Sequence, residues 1–375
     1  MGKLLFLARA LDYGGAERQL VILAGRLHAA GHDVRLAVFY PGGGLDAELR
    51  AAGVPVHFLE KAGRWDVLGF FRNLIRHERA ERPALVHGYL TVPNILAVAL
   101  KPWVPGLRVV FGLRASNIDL RRYDWLSRLT AGIECRLSRR ADLLIVNSWA
   151  GRDHHIAQGF PPEKLRVIPN GIDTARFRPD PAARQRVRES WGVNADEALV
   201  GLIARFDPMK DHPGFLQAAA RLAASHPAAR FVCLGGGDPA YRAGIETMAR
   251  DLGLGSRILF REPQADMPPV YAALDLLASS SAFGEGFSNV IGEAMAAGVP
   301  CAATDVGDSA RIVGDAGRVV PPNDPAALAG ALGELLDLSP EARAALGERA
   351  RRRIEEQFSV EALVKATLAA LESLE

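Results

Sequence analysis

Short apolar runs alternate with amphipathic segments along the whole chain. "KLLFLAR", "DVRLAVFY", "VPVHFLE", "PALVHG", "RVVFGLR", "LLIVNS" and "RVIPNG" predict strands in the first half. Between them, residues 16–30 and 67–82 repeat their apolar positions at helical spacing. A second series follows: "LVGLIAR", "RFVCLGG", "RILFR", "LLASS" and "PCAAT". Strands that alternate with helices predict an α/β fold built on parallel sheets. Between the two series lies "NGIDTARFRPDPAARQ", rich in proline and charge and without apolar periodicity. It predicts a boundary near residue 180, with one doubly wound domain over 1–180 and a second over 181–357. The final 358–375 segment reads as an amphipathic helix that packs back toward the first domain. Two such domains are expected to face each other across a cleft, where strand C-termini can meet a ligand.

Composition narrows the class. With 375 residues, 49% apolar and 7% aromatic, the chain reads as an α/β enzyme and not as a disordered or fibrous protein. Three scattered cysteines offer neither a disulfide framework nor zinc spacing, so a reducing cytosol is the expected setting. No apolar run approaches a membrane span. The opening "MGKLLFLARALDYGGAE" reads as a strand and not as a signal peptide, and Phe6 breaks the myristoylation pattern. Charge is uneven. Residues 1–180 hold 26 Lys and Arg against 17 Asp and Glu, while 181–375 hold 19 against 26. A basic first half points to an anionic partner, such as a lipid surface or a phosphorylated molecule. Nothing points to nucleic acid.

Candidate chemistry collects at strand–helix junctions. In "RALDYGGAERQL", Gly14 and Gly15 make the turn into the first helix, whose amides can meet an anion. The pattern is not G-x-G-x-x-G, and no acidic residue ends the second strand, which disfavours NAD. In "GLIARFDPMKDH", Arg205 and Lys210 stand where two cations could clamp a diphosphate. His87 is read at the end of the fourth strand, and Arg114 ends "VVFGLR". In "FGEGFSNVIGEAMAAGVP", Glu285 is flanked by Gly284 and Gly286 and falls in a loop, whereas Glu293 falls on the helix that follows. Amides of Gly286, Phe287, Ser288 and Asn289 at that helix start could receive anionic or hydroxyl oxygens. A carboxylate on so apolar a helix is costly unless it is paired or bound to hydroxyls.

Taken in order, "GGAERQL", "VNSWAG", "VIPNGIDTARF", "GLIARFDPMKDH", "EGFSNVIGEAMAAGVPCAATDVG" and "GRVVPPNDPAAL" resemble the retaining GT-B glycosyltransferases of family 4, the group 1 transferases. The resemblance covers nearly the whole chain, and the E-x7-E pair is its most specific element. It implies that Gly15 approaches a donor diphosphate that Arg205 and Lys210 hold. Glu285 would bind donor-sugar hydroxyls with help from the neighbouring amides, and Glu293 would bind the ribose. His87 would be catalytic, lying near the transferred sugar and supporting its developing positive charge through backbone or imidazole, and Arg114 and Asn170 are acceptor-side candidates. The implied reaction moves a sugar from a nucleotide sugar, expected to be a UDP-sugar, to a glycan or lipid-linked acceptor. Same-face attack would retain configuration. No cofactor and no metal are expected, since no D-x-D motif is placed to bind one.

Two loops depart from the family pattern. Arg311 stands near the position of a frequent glutamate, and Arg261 and Glu262 follow the third strand of the second domain where a glycine is common. A non-catalytic nucleotide-sugar-binding partner and a UDP-sugar 2-epimerase of the same fold remain the rival readings. Two basic segments also mix arginine with aromatic and apolar residues. "RRYDWLSRLTAGIECRLSRR" carries Arg121, Arg122, Arg128, Arg136, Arg139 and Arg140, while "RWDVLGFFRNLIRHER" is similar. They either lie on an anionic membrane, placing a cytoplasmic protein peripherally on the inner face, or pack their apolar stripes on the sheet.

Overall fold

The structure, a computed structural model, describes residues 2–63, 65–114 and 125–374. Arg121, Arg122 and Tyr123 of the first basic segment therefore lie outside the described residues. The chain divides into two compact units, one comprising Met1–Gly171 with Val360–Glu375 and the other Ile172–Ser359.

The first unit carries seven strands: β1 (Leu4–Ala8), β2 (Val34–Val38), β3 (Val56–Phe58), β4 (Leu85–Tyr89), β5 (Arg108–Leu113), β6 (Leu143–Val146) and β7 (Leu165–Val167). They pair in parallel in the order β3-β2-β1-β4-β5-β6-β7. Helices cover both faces, so alternate residues of one strand enter different cores. Leu4 and Phe6 of β1 join Leu20, Leu23 and Leu27 of the helix Gly15–Ala29. Leu5 and Leu7 join Phe70 and Leu74 of the helix Leu68–Glu81 on the other side. The last helix, Val360–Glu372, adds Leu363 and Leu371 to the first of these cores.

The second unit carries β8 (Ala198–Ile203), β9 (Ala229–Leu234), β10 (Ile258–Arg261), β11 (Leu276–Ser279), β12 (Cys301–Thr304) and β13 (Gly317–Val320). Their order is β10-β9-β8-β11-β12-β13, again parallel throughout. Sequence patterning misses β13, because "GRVV" opens on a glycine and an arginine and offers only two apolar residues. In both sheets the chain starts in the middle, builds outward to one edge, then returns to build the other.

Aspartate–proline pairs start several helices of the second unit. Asp180, Asp238 and Asp324 each precede a proline at the first helical position. Their carboxylates accept from the amides of Ala183, Ala240 and Ala327 at 2.8–2.9 Å. The carboxylate satisfies an amide with no intrahelical acceptor, and the fixed proline φ suits the first turn. The helix Pro181–Trp191 that starts this way begins within the segment whose proline and charge mark it as linker-like in sequence, and runs past its end. It is tied down by Asp275 between helix Pro268–Ala273 and β11. That carboxylate receives Arg184 at 2.7 Å, Arg188 at 2.9 Å and the Leu199 amide at 2.7 Å.

Two predictions follow from groups buried in these cores. Asp275→Ala leaves Arg188 buried without its counter-charge and is expected to cost about 3–5 kcal/mol, read as a fall in the denaturation midpoint. Glu78, in the helix Leu68–Glu81, is fully buried, and neither carboxylate oxygen has a hydrogen-bond partner among the described residues. Burial, then the nearby Glu81 charge, pushes its carboxyl up to about 8. The folded chain therefore keeps a proton that the unfolded chain releases near 4.5. Stability from this group is full below the unfolded value and is lost as pH rises toward 8. Urea midpoints across this range are expected to fall more steeply for the wild type than for Glu78→Gln.

Candidate functional site

In the second unit, strand order reverses between β8 and β11, and both strands end at the same edge of the sheet. An open parallel sheet offers its ligand crevice at such a point. The chain leaving β8 carries Arg205, Asp207 and the short turn Pro208–Lys210. The chain leaving β11 runs Ser279, Ser280, Ser281 and then the glycine-flanked loop to the helix Asn289–Ala296.

These two segments meet through Lys210 and Glu285. The ammonium forms an ion pair with Glu285 Oε1, and Ser281 Oγ donates to the same oxygen at 2.6 Å. Glu285 is only 8% exposed, so an ionised carboxylate there depends on such donors. Ser280 Oγ donates to the Lys210 carbonyl at 2.8 Å, and the Ala282 amide donates to the Met209 carbonyl at 2.9 Å. Thr304, the last residue of β12, donates to the Ser281 carbonyl at 2.7 Å. Lysine and glutamate are thus held from three strand ends at once. Arg205 behaves differently. It is exposed, and among the described residues it has only a 3.3 Å contact to Asp207, so its guanidinium remains accessible to solvent.

The loop after β12 closes on the loop after β11. The Asp308 amide donates to the Gly286 carbonyl at 3.0 Å, and Gly307 has φ +63°. A Cβ on Gly307 would stand 2.5 Å from the Glu285 carbonyl oxygen, so only glycine permits this approach. Phe287 and Ser288 are buried, and the Ser288 side chain makes no cap bond to the helix it precedes. The Asp-Pro helices bind their own first-turn amides, whereas this one begins without a side-chain cap. Glu293 lies in its second turn, half-buried. Its Oε2 accepts from the hydroxyl of Tyr271 at 2.6 Å, a fully buried tyrosine edge-on to Phe177. Glu285 and Glu293 are therefore separately anchored, the first in a loop by a lysine and a serine, the second on a helix by a tyrosine.

Arg311 is exposed in the short helix Ser309–Val313. Arg261 ends β10 with its guanidinium over the Trp191 ring, and Glu262 pairs with Arg242. Ser280, Ser281, Thr304, Asp308 and Tyr271 were not singled out by sequence reasoning. The only signal was the run of three serines closing an apolar strand.

In the first unit the reversal falls between β1 and β4. Gly14 precedes the helix Gly15–Ala29 in an extended conformation, and the space of its absent Cβ is taken by the Glu17 carboxylate. His87 does not end the fourth strand. It is the middle residue of the five in β4, and Tyr89 reaches the strand end. The imidazole is wholly buried, with ring centroids 5.3 Å from Phe6 and 5.0 Å from Tyr89, and neither nitrogen has a partner among the described residues. Burial, then the charge of Arg114, holds it well below its usual value, so the ring is neutral. Arg114 and Asn170 do come together. Arg114 donates to Asn170 Oδ1 at 3.3 Å and to the Tyr89 hydroxyl at 2.6 Å, and stacks 4.6 Å over the Tyr89 ring.

Comparison with known proteins places the chain by family and fold. The family described as Glycosyl transferases group 1 matches residues 197–338, and that described as Glycosyltransferase Family 4 matches residues 13–176. A D-inositol 3-phosphate glycosyltransferase of Acidothermus cellulolyticus is 34% identical over 52% of this chain and 46% of its own. A GDP-mannose-dependent alpha-(1-6)-phosphatidylinositol monomannoside mannosyltransferase of Mycolicibacterium smegmatis is 32% identical over 58% of each. The chain spans about half the length of the curated relatives it matches. In fold, it is similar to Anabaena Alr3699/HepE in complex with UDP. That match has TM-score 0.86 at 22% identity and covers 99% of this chain and 100% of that one. It is also similar to WaaG, a glycosyltransferase involved in lipopolysaccharide biosynthesis. There the TM-score is 0.72 at 21% identity, covering 97% and 98%. Such likeness supports the GT-B fold of two Rossmann-like units. The chain belongs to the group 1 glycosyltransferases of family 4.

Proposed function

We propose that this chain transfers a hexose from a nucleoside-diphosphate sugar to a glycan or lipid-linked acceptor, with retention of configuration. The observation that carries the reading is the Lys210–Glu285–Ser281 cluster at the β8/β11 reversal, beside a helix that starts without a side-chain cap and bears Glu293. A sugar diphosphate presents hydroxyls, two phosphoryl groups and a ribose in a row. Glu285 accepts from the sugar hydroxyls, Lys210 and the exposed Arg205 meet the diphosphate, and Glu293 accepts from the ribose. Amides at the start of helix Asn289–Ala296 add positive potential at the leaving phosphate.

In the reaction, the bond from the anomeric carbon to the diphosphate oxygen breaks, and a bond to the acceptor oxygen forms on the same face. The acceptor proton passes to the departing phosphate oxygen. Charge grows on that oxygen as the bond lengthens, and two fixed cations with helix amides stabilise it electrostatically. They supply the charge a metal would otherwise provide, which is why we propose metal-independent transfer. The role of Glu285 is recognition and charge placement, so no covalent sugar–carboxylate intermediate is required, unlike the paired carboxylates of retaining glycosidases. UDP is the proposed carrier, and the GDP-mannose-dependent relative makes GDP its competitor. Arg114 and Asn170 in the first unit are proposed to meet the acceptor.

A peripheral membrane location at the cytoplasmic face, in polysaccharide or glycoconjugate synthesis, extends this reading. No helix among the described residues is long and apolar enough to cross a membrane. On the helix Trp125–Ser138, Trp125 is 70%, Leu129 50% and Ile133 38% exposed, spaced four apart on one face. Arg128, Arg136, Arg139 and Arg140 are exposed alongside. This stripe faces solvent, while Glu134 and Ser138 face inward. The other basic segment buries Phe70 and Leu74 but leaves Trp65, Val67 and Leu68 exposed. An exposed face of this composition suits an anionic bilayer.

Two experiments test these proposals. Thermal shift with UDP, GDP and ADP is expected to single out one nucleotide, by about 2.7 kcal/mol of stabilisation at a hundred times its Kd. With that donor series, Glu285→Ala should lower turnover by at least about a hundredfold with the fold intact. Full residual transfer would refute the role of Glu285. For the membrane, flotation with phosphatidylglycerol vesicles at low salt is expected to carry the protein up, with loss at high salt and in a Trp125→Ala, Leu129→Ala double variant. No flotation at low salt removes the proposal.

A further inference from the structure

Gln19 lies one turn into the helix Gly15–Ala29 and is only 3% exposed. The neighbouring buried positions of that helix, Leu20, Leu23 and Leu27 among them, are apolar. A carboxamide placed there costs desolvation that a leucine would avoid, unless its polar atoms are bonded. Both are. Nε2 donates to the Gly171 carbonyl at 2.9 Å, and Oε1 accepts from the Gly171 amide at 2.8 Å. One side chain thus engages both backbone groups of a residue 152 positions away.

Gly171 stands where the chain leaves the first unit, and the second unit begins at Ile172. A Cβ on Gly171 would lie 2.9 Å from Val360 Cα and 2.9 Å from Leu363 Cβ, so only glycine passes beside the helix Val360–Glu372. Within the second unit Ile172 is held as closely. Its amide donates to the Phe358 carbonyl at 2.8 Å, and it forms a parallel bridge with Ser359. Its side chain rests on the helix Asn289–Ala296, where a Cβ on Gly292 would stand 2.8 Å from Ile172 Cγ1. Gly292 is adjacent to Glu293. Phe287, which precedes the same helix, has its ring 5.4 Å from that of Phe358. Each end of the Gly171–Ile172 link is therefore anchored to a helix: one led by Gly14 and Gly15, the other bearing Glu293.

The helix Gly15–Ala29 depends on an anchor of this kind. Gly14 enters it in an extended conformation, and no side chain caps it. Glycines leave such a turn conformationally permissive, so its amides sit where the first turns of the helix put them. Gln19 follows Gly15 by four residues, which places both on one face of the helix.

We propose that Gln19 is a positioning residue for donor binding: by holding Gly171, it sets where the Gly14–Gly15 turn presents its amides to the diphosphate. The inference rests on the reading that this turn meets the donor diphosphate. Gln19 itself is buried and acts through the turn.

Calorimetric titration of the full chain with UMP, UDP, GMP and GDP tests this, the quantity read being the gain in affinity from monophosphate to diphosphate. Gln19→Leu nearly keeps the volume and removes both bonds. It should weaken the diphosphate by about tenfold and the monophosphate by less than about twofold. Gln19→Glu loses the donor when ionised and regains it when protonated, so its deficit should shrink as pH falls from about 8 to about 5. It carries the same comparison if Gln19→Leu does not fold. Gly15→Val, which crowds the turn, should show the same selective loss. The double variant Gln19→Leu, Gly15→Val should then lose little more than either alone, because both changes act on one turn. A role confined to folding would lower the thermal midpoint and leave the ratio of the two affinities as in the wild type. That unchanged ratio in a folded variant, equal losses for both nucleotides, or additive losses in the double variant would each overturn the proposal while the donor reading stands. Binding of neither UDP nor GDP by the wild type would strike the donor reading itself, and this inference with it.

Discussion

A parallel sheet covered on both faces by helices leaves one edge for chemistry, the edge where strands end and helices begin. Both units obey that constraint, and every candidate group follows from it. Strand residues are committed to two cores at once, as Leu4 and Leu5 show by entering different clusters. In the middle of a central strand a polar side chain loses its hydration, whereas edge positions such as His57 and strand ends such as Arg108 keep theirs. His87 shows the consequence: placed mid-strand, it is neutral, unpartnered and walled by rings. Polar function begins only past the last strand residue, at Lys210, Ser281, Glu285 and Arg114.

The order of strands then decides which ends are adjacent. In the second unit β8 lies beside β11, so residues 75 apart in sequence, Lys210 and Glu285, come into contact. The ion pair is therefore a product of topology, and its hydroxyl supports come from strand ends too. Ser281 follows β11, and Thr304 ends β12. Glu293 is fixed independently through Tyr271, so movement of one carboxylate need not displace the other. Such separate anchoring suits a ligand with distinct polar sections better than an acid/base couple, whose members must share a proton path.

Much of the fold was legible in sequence because parallel strands are near-continuous apolar runs, and twelve of the thirteen among the described residues announce themselves that way. β13 does not, being short and led by Gly317 and Arg318. The loop position of Glu285 and the helical position of Glu293 were legible through the glycines that bracket the first. What could not be read was pairing across the sheet: that Ser281 would serve Glu285, that Tyr271 would serve Glu293, or that Tyr89 would take the strand end assigned to His87. Strand termini shift by a residue or two in any pattern-based reading, and in a strand each such shift turns a side chain from one face to the other.

Charge distribution needs the same local treatment. The second half of the chain is net negative, which at first sight disfavours an anionic donor. Its acids, however, are largely engaged in structure. Asp180, Asp238 and Asp324 cap helices, and Asp275 neutralises Arg184 and Arg188. Lys210 and Arg205 stand at the strand-end edge, where low-dielectric walls strengthen any field. In the first half the relation is reversed: the net charge is positive, yet many basic groups are exposed and screened by solvent. Arg114 differs because Tyr89 and Asn170 hold it at the edge of the core without cancelling its charge. Net charge thus says little about where an anion binds, and the deciding quantity is which charges remain uncompensated after the fold has used the rest.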